Sequence, residues 1–126
     1  MLDIMKFLTQ ELKKISPRVF NGNATKDAVF PYVVFKIPTS NIMEKNREDV
    51  IIEIDVWDIQ KDGYDATINV EVLTSKIDKF LKNARYNGDN SVLIFQKINR
   101  LSLPDEDENV KRRQLRYLVK FYDKNQ

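Results

Sequence analysis

Long runs of period-two alternation, set before and after one helical stretch, constrain this chain more than any motif in it. Val50, Ile52, Ile54 and Val56 fall on one side of an extended segment, with Ile51, Glu53, Asp55 and Trp57 on the other. Successive side chains of a strand point to opposite faces, so one face of Val50 to Trp57 is buried and the other is mixed. Tyr32 to Ile37 reads the same way, with Val33, Phe35 and Ile37 opposite Lys36, and Pro38 is expected to end that strand. In the last third, Leu93, Phe95, Leu101 and Leu103 alternate along Ser91 to Leu103, and Leu115, Tyr117, Val119 and Phe121 along Arg112 to Asp123. Pro104 to Asn109 between them is an acidic turn sequence, so these two segments form a long antiparallel hairpin.

Helical spacing accounts for the rest. Ile68, Val72, Leu73, Ile77, Phe80, Leu81 and Ala84 mark a helix that runs from Asp65 towards the break at Asn87-Gly88-Asp89. Met5, Leu8, Leu12 and Ile15 form the stripe of an N-terminal helix, with Asp3 as N-cap and Ser16-Pro17 as its stop. Val19-Phe20 is a short extended piece before a turn. Thr39 to Asp49, carrying Glu44, Lys45, Arg47 and Glu48, reads as a polar connection, long for a hairpin and therefore projecting. With 126 residues the chain fits one domain, 1–126. The predicted class is α+β: a mostly antiparallel sheet of about four to five strands with two helices packed on one face.

The chain contains no histidine and no cysteine, and its three glycines, Gly22, Gly63 and Gly88, are too scattered for a phosphate-cradling loop. No run reaches the length of a membrane span and Met1 to Ser16 does not resemble a signal peptide, so a reducing, cytoplasmic birthplace is expected. Glu53 and Asp55 share a strand face, with Asp58 just beyond, which raises a metal-dependent nuclease. No Glu-x-Lys follows and no histidine base exists, so no catalytic residue, metal ligand or cofactor is assigned, and the chain is not read as an enzyme.

Lys111, Arg112, Arg113 and Arg116 form the densest basic group, next to four acidic residues. The group is either a self-neutralising hairpin tip or a DNA-facing surface, the latter making a small nucleic-acid-binding module the alternative reading. The net charge of +2 does not decide between them. Trp57 and Tyr122 alternate away from the cleaner apolar face, where a helix or another subunit would cover them. Apolar residues on both faces, Ile51, Trp57, Leu118 and Tyr122 included, exceed what two helices can cover, which points to oligomerisation.

The N-terminal helix, the phrase Phe30-Pro31-Tyr32-Val33-Val34-Phe35, the strand Val50 to Trp57, the helix Asp65 to Ala84, and the ending Asp105-Glu106-Asp107 … Arg113 … Tyr117 to Tyr122 resemble the small tail-completion proteins of long-tailed bacteriophages, the tail terminator or tail-to-head joining group. The resemblance covers most of the chain. It implies a non-enzymatic ring, commonly hexameric, that caps the head-proximal end of the tail tube, ends its polymerisation and docks on the head connector. The implied partners are further copies of the chain, the tail tube protein, the head connector protein, and DNA that passes through without sequence-specific binding. The implied location is the virion tail–head junction, reached from the bacterial cytoplasm, with no membrane. Candidate ring and docking contacts are Glu44, Lys45, Arg47, Glu48, Trp57, Asp105, Glu106, Asp107 and Tyr122; candidate DNA-facing residues are Lys111, Arg112, Arg113 and Arg116.

Overall fold

A computed structural model describes residues 2–125, apart from the side chain of Glu44. The elements are α1 (Leu2–Lys13), β1 (Val19–Asn21), β2 (Tyr32–Glu44), β3 (Arg47–Ile59), α2 (Ala66–Leu81), β4 (Arg85–Asn87), β5 (Ser91–Leu103) and β6 (Val110–Asp123). They build a mixed α+β fold with one six-stranded sheet of order β1-β2-β3-β6-β5-β4. Only β1 against β2 is parallel; every other pair is antiparallel. The sheet exceeds the expected four to five strands because β1 and β4, three residues each, are too short to leave an alternation signal.

Both helices pack on one face. There Val33 and Phe35 of β2, Val50, Ile52, Ile54 and Val56 of β3, Leu93 and Phe95 of β5, and Leu115, Tyr117 and Val119 of β6 meet Ile4, Phe7, Leu8 and Leu12 of α1 and Val70, Ile77 and Leu81 of α2. Each fully buried aliphatic side chain contributes about 1.5–3 kcal/mol relative to exposure. The Phe7 ring sits 5.4 Å from that of Phe95 and 5.3 Å from that of Tyr86, tying α1 to β5 and β4. Asp65 caps α2, accepting from the Ile68 amide at 3.1 Å.

Several expectations give way. Asp3 lies inside the first turn of α1 and accepts a 2.6 Å bond from the Ser91 hydroxyl instead of capping the helix. On α2 the buried stripe is Ala66, Val70, Thr74, Ile77 and Leu81, while Ile68, Val72 and Phe80 are exposed. Spacing alone admits either stripe, and the tether of Asp78 to Tyr117 and Lys97 goes with the one observed. Pro38 does not end β2: a bulge between Lys36 and Thr39 absorbs it and the strand runs on to Glu44. What reads as a projecting polar loop is therefore a two-stranded arm, Thr39 to Asp49, turning at Lys45-Asn46. A second bulge, between Lys97 and Asn99, moves Leu101 and Leu103 to the face opposite Leu93 and Phe95. Strict alternation cannot reveal one inserted residue.

Candidate functional site

With both helices on one side, the other face of the sheet carries no helix, and the strand register arranges it in rows. From β2 to β5 these are Tyr32–Trp57–Arg112–Leu103, Val34–Asp55–Gln114–Leu101, Lys36–Glu53–Arg116–Asn99, Thr39–Ile51–Leu118–Gln96 and Asn41–Asp49–Lys120–Ile94. Arg47, Tyr122 and Val92 continue the pattern at the arm. Directly opposed side chains on one face are in contact distance, so acids and bases in neighbouring positions engage one another.

Asp55 forms the centre of this face. It is 2% exposed, and its Oδ1 accepts from Arg112 Nε at 3.1 Å, Arg112 Nη2 at 2.9 Å and Gln114 Nε2 at 3.1 Å. The Arg112 guanidinium lies over the Trp57 ring at 4.5 Å, and Tyr32 stacks beside Trp57 at 6.1 Å. Burial, followed by the charge of Asp105 and against that of Arg112, raises the Tyr32 phenol above its ordinary value. A cavity of about 250 Å³ opens beside this cluster, walled by Tyr32, Val34, Lys36, Asp55, Trp57 and the Gly22–Thr25 loop. Gly22 takes φ +91 there, a conformation that L side chains rarely adopt.

The four basic residues do not form one strip. Arg112 joins Asp55; Arg116 Nε lies 3.5 Å from Glu53 Oε2; Arg113 turns to the helix side and pairs, with Arg100, to Glu71 of α2; Lys111 Nζ donates to the Glu108 carbonyl at 2.8 Å. The expected neutralisation by the adjacent acidic turn is thus replaced by partners across the sheet and on α2. Asp105, Glu106 and Asp107 stay exposed, with Asp105 and Asp107 accepting from the amides of Asp107 and Asn109 at 3.0 and 2.9 Å. Asp58 leaves the side of Glu53 and Asp55 for the helix side, where it takes the Ile59 amide at 2.8 Å and the Tyr64 hydroxyl. Among the described residues no group of three carboxylates is gathered to hold a metal ion.

On the arm, Lys45 is exposed, Arg47 makes a bidentate pair with Asp49 at 3.0 and 3.1 Å and sits 5.9 Å from the Tyr122 ring, and Glu48 faces the helix side opposite Phe121. The side chain of Glu44 lies outside the described residues. The sequence reading misses Ile42 and Met43, 79% and 55% exposed near the tip, because it treats their segment as a polar loop. It also misses Asp55 as an ion-pair centre. The available signal was the alternation that sets Asp55 beside Trp57 on the mixed face.

No family model matches the sequence. An uncharacterized protein of Schizosaccharomyces pombe is 30% identical over 96 residues, covering 76% of this chain, and the chain spans 14% of that protein's length. In fold the chain is similar to a protein of the virion of a native gene transfer agent particle, with a TM-score of 0.64 over 88% of this chain and 84% of that one at 11% identity. At that identity the likeness is one of fold.

Proposed function

We propose that this chain is a structural protein of a phage-like virion, and that it closes the head-proximal end of a tail tube as a ring and joins the tail to the head connector. The observation that carries the reading is the helix-free face: aromatic and apolar residues, Trp57, Tyr32, Ile51, Leu118 and Tyr122, lie between self-paired charges, and among the described residues no helix packs over them, only the Gly22–Thr25 loop beside Tyr32 and Trp57. Such a surface suits contact with other protein, and the fold-likeness to a gene transfer agent virion protein supports the setting. The proposed role is non-enzymatic; Asp55, Glu53 and Asp58 each lie against a neighbouring side chain. Partners are further copies of the chain, the tube protein and the connector, with DNA passing through the ring.

The test is light scattering across a wide concentration range, alone and with tail tube protein, followed by negative-stain microscopy. Rings with a hole wide enough for duplex DNA are the expected result. Failure to form rings, together with failure to retain any tube or connector protein in a pull-down, refutes the proposal.

A further inference from the structure

The sheet has two unpaired edge segments. β1 reaches only as far as Phe35 on β2, and β4 only as far as Ile94 on β5, so Lys36–Glu44 and Gln96–Leu103 have no outer strand partner among the described residues. The hydrogen-bond alternation shows which backbone groups point outwards. Val33 N donates to Arg18 O and Phe35 O accepts from Gly22 N, both at 2.9 Å, so Val33 and Phe35 face away from β3. Counting through the bulge, Ser40 and Ile42, opposite Val50 and Glu48, do the same. On β5 the Phe95 amide points outwards to Ala84 O at 2.9 Å, and beyond the second bulge Arg100 and Ser102 take that orientation.

Unpaired edges are templates for another strand unless shortness, charge or proline blunts them. Here Pro38 is the only proline on either segment; of the charged residues Lys36, Glu44, Lys97 and Arg100, the last two are drawn to Asp78 and Glu71 of α2, and the segments expose Ile42 (79%), Met43 (55%), Ile98 (45%) and Leu101 (38%). We infer that the free edge of β2 in one copy pairs antiparallel with the free edge of β5 in the next, making one continuous sheet through a ring. This inference rests on the ring reading above and names its joint.

The geometry favours a second copy over other strands. β2, β3, β6 and β5 alternate strictly in direction, so a copy placed in the same sense sets its β5 antiparallel to β2. Ser40, Val50, Val119 and Phe95 form one row and Tyr32, Trp57, Arg112 and Leu103 another, so the two free segments are offset along the strands. The offset is about three to four residues, or ~10–13 Å at the usual rise. A constant stagger per copy gives the strand tilt that a closing sheet requires, and a joint using each edge once is heterologous, as rings demand. Each joint involves about nine residues per side, far fewer than the ~20–30 of a standard interface, so single joints are weak and closure or a tube template stabilises them.

The test uses Ser40→Pro and Ser102→Pro, which remove outward amides and leave the ladder to β3 and β6 intact. Both are expected to keep the monomer's melting temperature within a few degrees and to hold the mass at the monomer's 14.9 kDa, free and on tube protein. Because the chain has no cysteine, Ser40→Cys and Ser102→Cys supply an independent measurement with a short bis-maleimide. Neither variant alone should cross-link; their mixture should give dimers, and the double variant a ladder of oligomers. Rings that persist in both proline variants, or dimers from Ser40→Cys alone, overturn the joint while leaving the virion role standing. No association in any arm, with or without tube protein, overturns both.

Discussion

Replacing Asp55 by alanine should cost far more than a surface carboxylate normally does. The side chain is 2% exposed, and its Oδ1 accepts three bonds from Arg112 and Gln114. Removing one member of a buried pair costs about 3–5 kcal/mol because the other charge is left unpaired. Arg112 keeps 23% side-chain exposure and its place over Trp57, so part of its charge stays solvated and the low end applies. Gln114, 8% exposed, loses an acceptor worth about 1 kcal/mol. The expected loss for Asp55→Ala is therefore ~4 kcal/mol, or a fall in Tm of about 12–16 °C for a domain of this size. Urea unfolding, followed by circular dichroism and by the fluorescence of the only tryptophan, Trp57, measures it with an unchanged m value. The double variant Asp55→Leu with Arg112→Met should recover more than half of the loss, since removing both partners leaves no orphan charge. A loss below ~1 kcal/mol for Asp55→Ala, or a double variant no more stable than the single one, refutes this account.

Three further outcomes follow from other groups. Burial alone would raise the Asp78 carboxyl, but hydrogen bonds from Lys97 and Tyr117 and the charges of Lys97 and Lys82 outweigh it and hold the group below its ordinary value. That stabilisation is present above the unfolded carboxylate range, about 3.9, and fades as pH falls through the folded value, so the stability gap between wild type and Asp78→Asn should close below about pH 4. The Tyr64 phenol, donating to Asp58 and further disfavoured from ionising by burial, is pushed up to about 12, and ultraviolet titration of Tyr64→Phe should lose one tyrosinate step near pH 12, while Tyr117, raised further by burial and by Asp78, still ionises later. Trp57, part-exposed on the helix-free face, should shift its emission to the blue when the ring or a partner covers it; an unchanged spectrum in assembled rings would place that face outside every contact.

The four long strands and two helices were legible because each repeats its period over many residues. Val50, Ile52, Ile54 and Val56 are all fully buried, as alternation demands. The errors fall where the period is interrupted by a single residue or supported by very few. Ile98 and the Ile37-Pro38 bulge each add one residue to a strand, which sends Leu101 and Leu103 to the other face and hides the arm at Thr39 to Asp49. Three-residue strands such as β1 and β4 carry too few residues to show a period. The group Lys111 to Arg116 divides for a related reason: closeness in sequence says little on a strand, where Arg112 and Arg113 face opposite sides and find Asp55 and Glu71.

This division of the charges bears on how the protein meets its partners. On the helix side, Glu71 and Asp78 hold α2 to β5 and β6 through Arg100, Arg113, Lys97 and Tyr117. On the other face, Asp49, Glu53 and Asp55 hold Arg47, Arg116 and Arg112. The arginines of the sheet are thus engaged within the chain, while backbone edges and exposed apolar groups such as Ile42, Met43, Ile98 and Leu101 are open to other protein. A nucleic-acid binder using four cations would lose affinity by about 10²-fold between 50 and 200 mM salt, since each phosphate contact contributes a slope near −0.9. Edge pairing and apolar contact depend on displaced counterions far less, so self-association should change by less than about threefold over that range. Sedimentation velocity at both salt concentrations separates the cases, and a hundredfold loss of association would mean that the arginines, despite their partners in the free chain, are the contact.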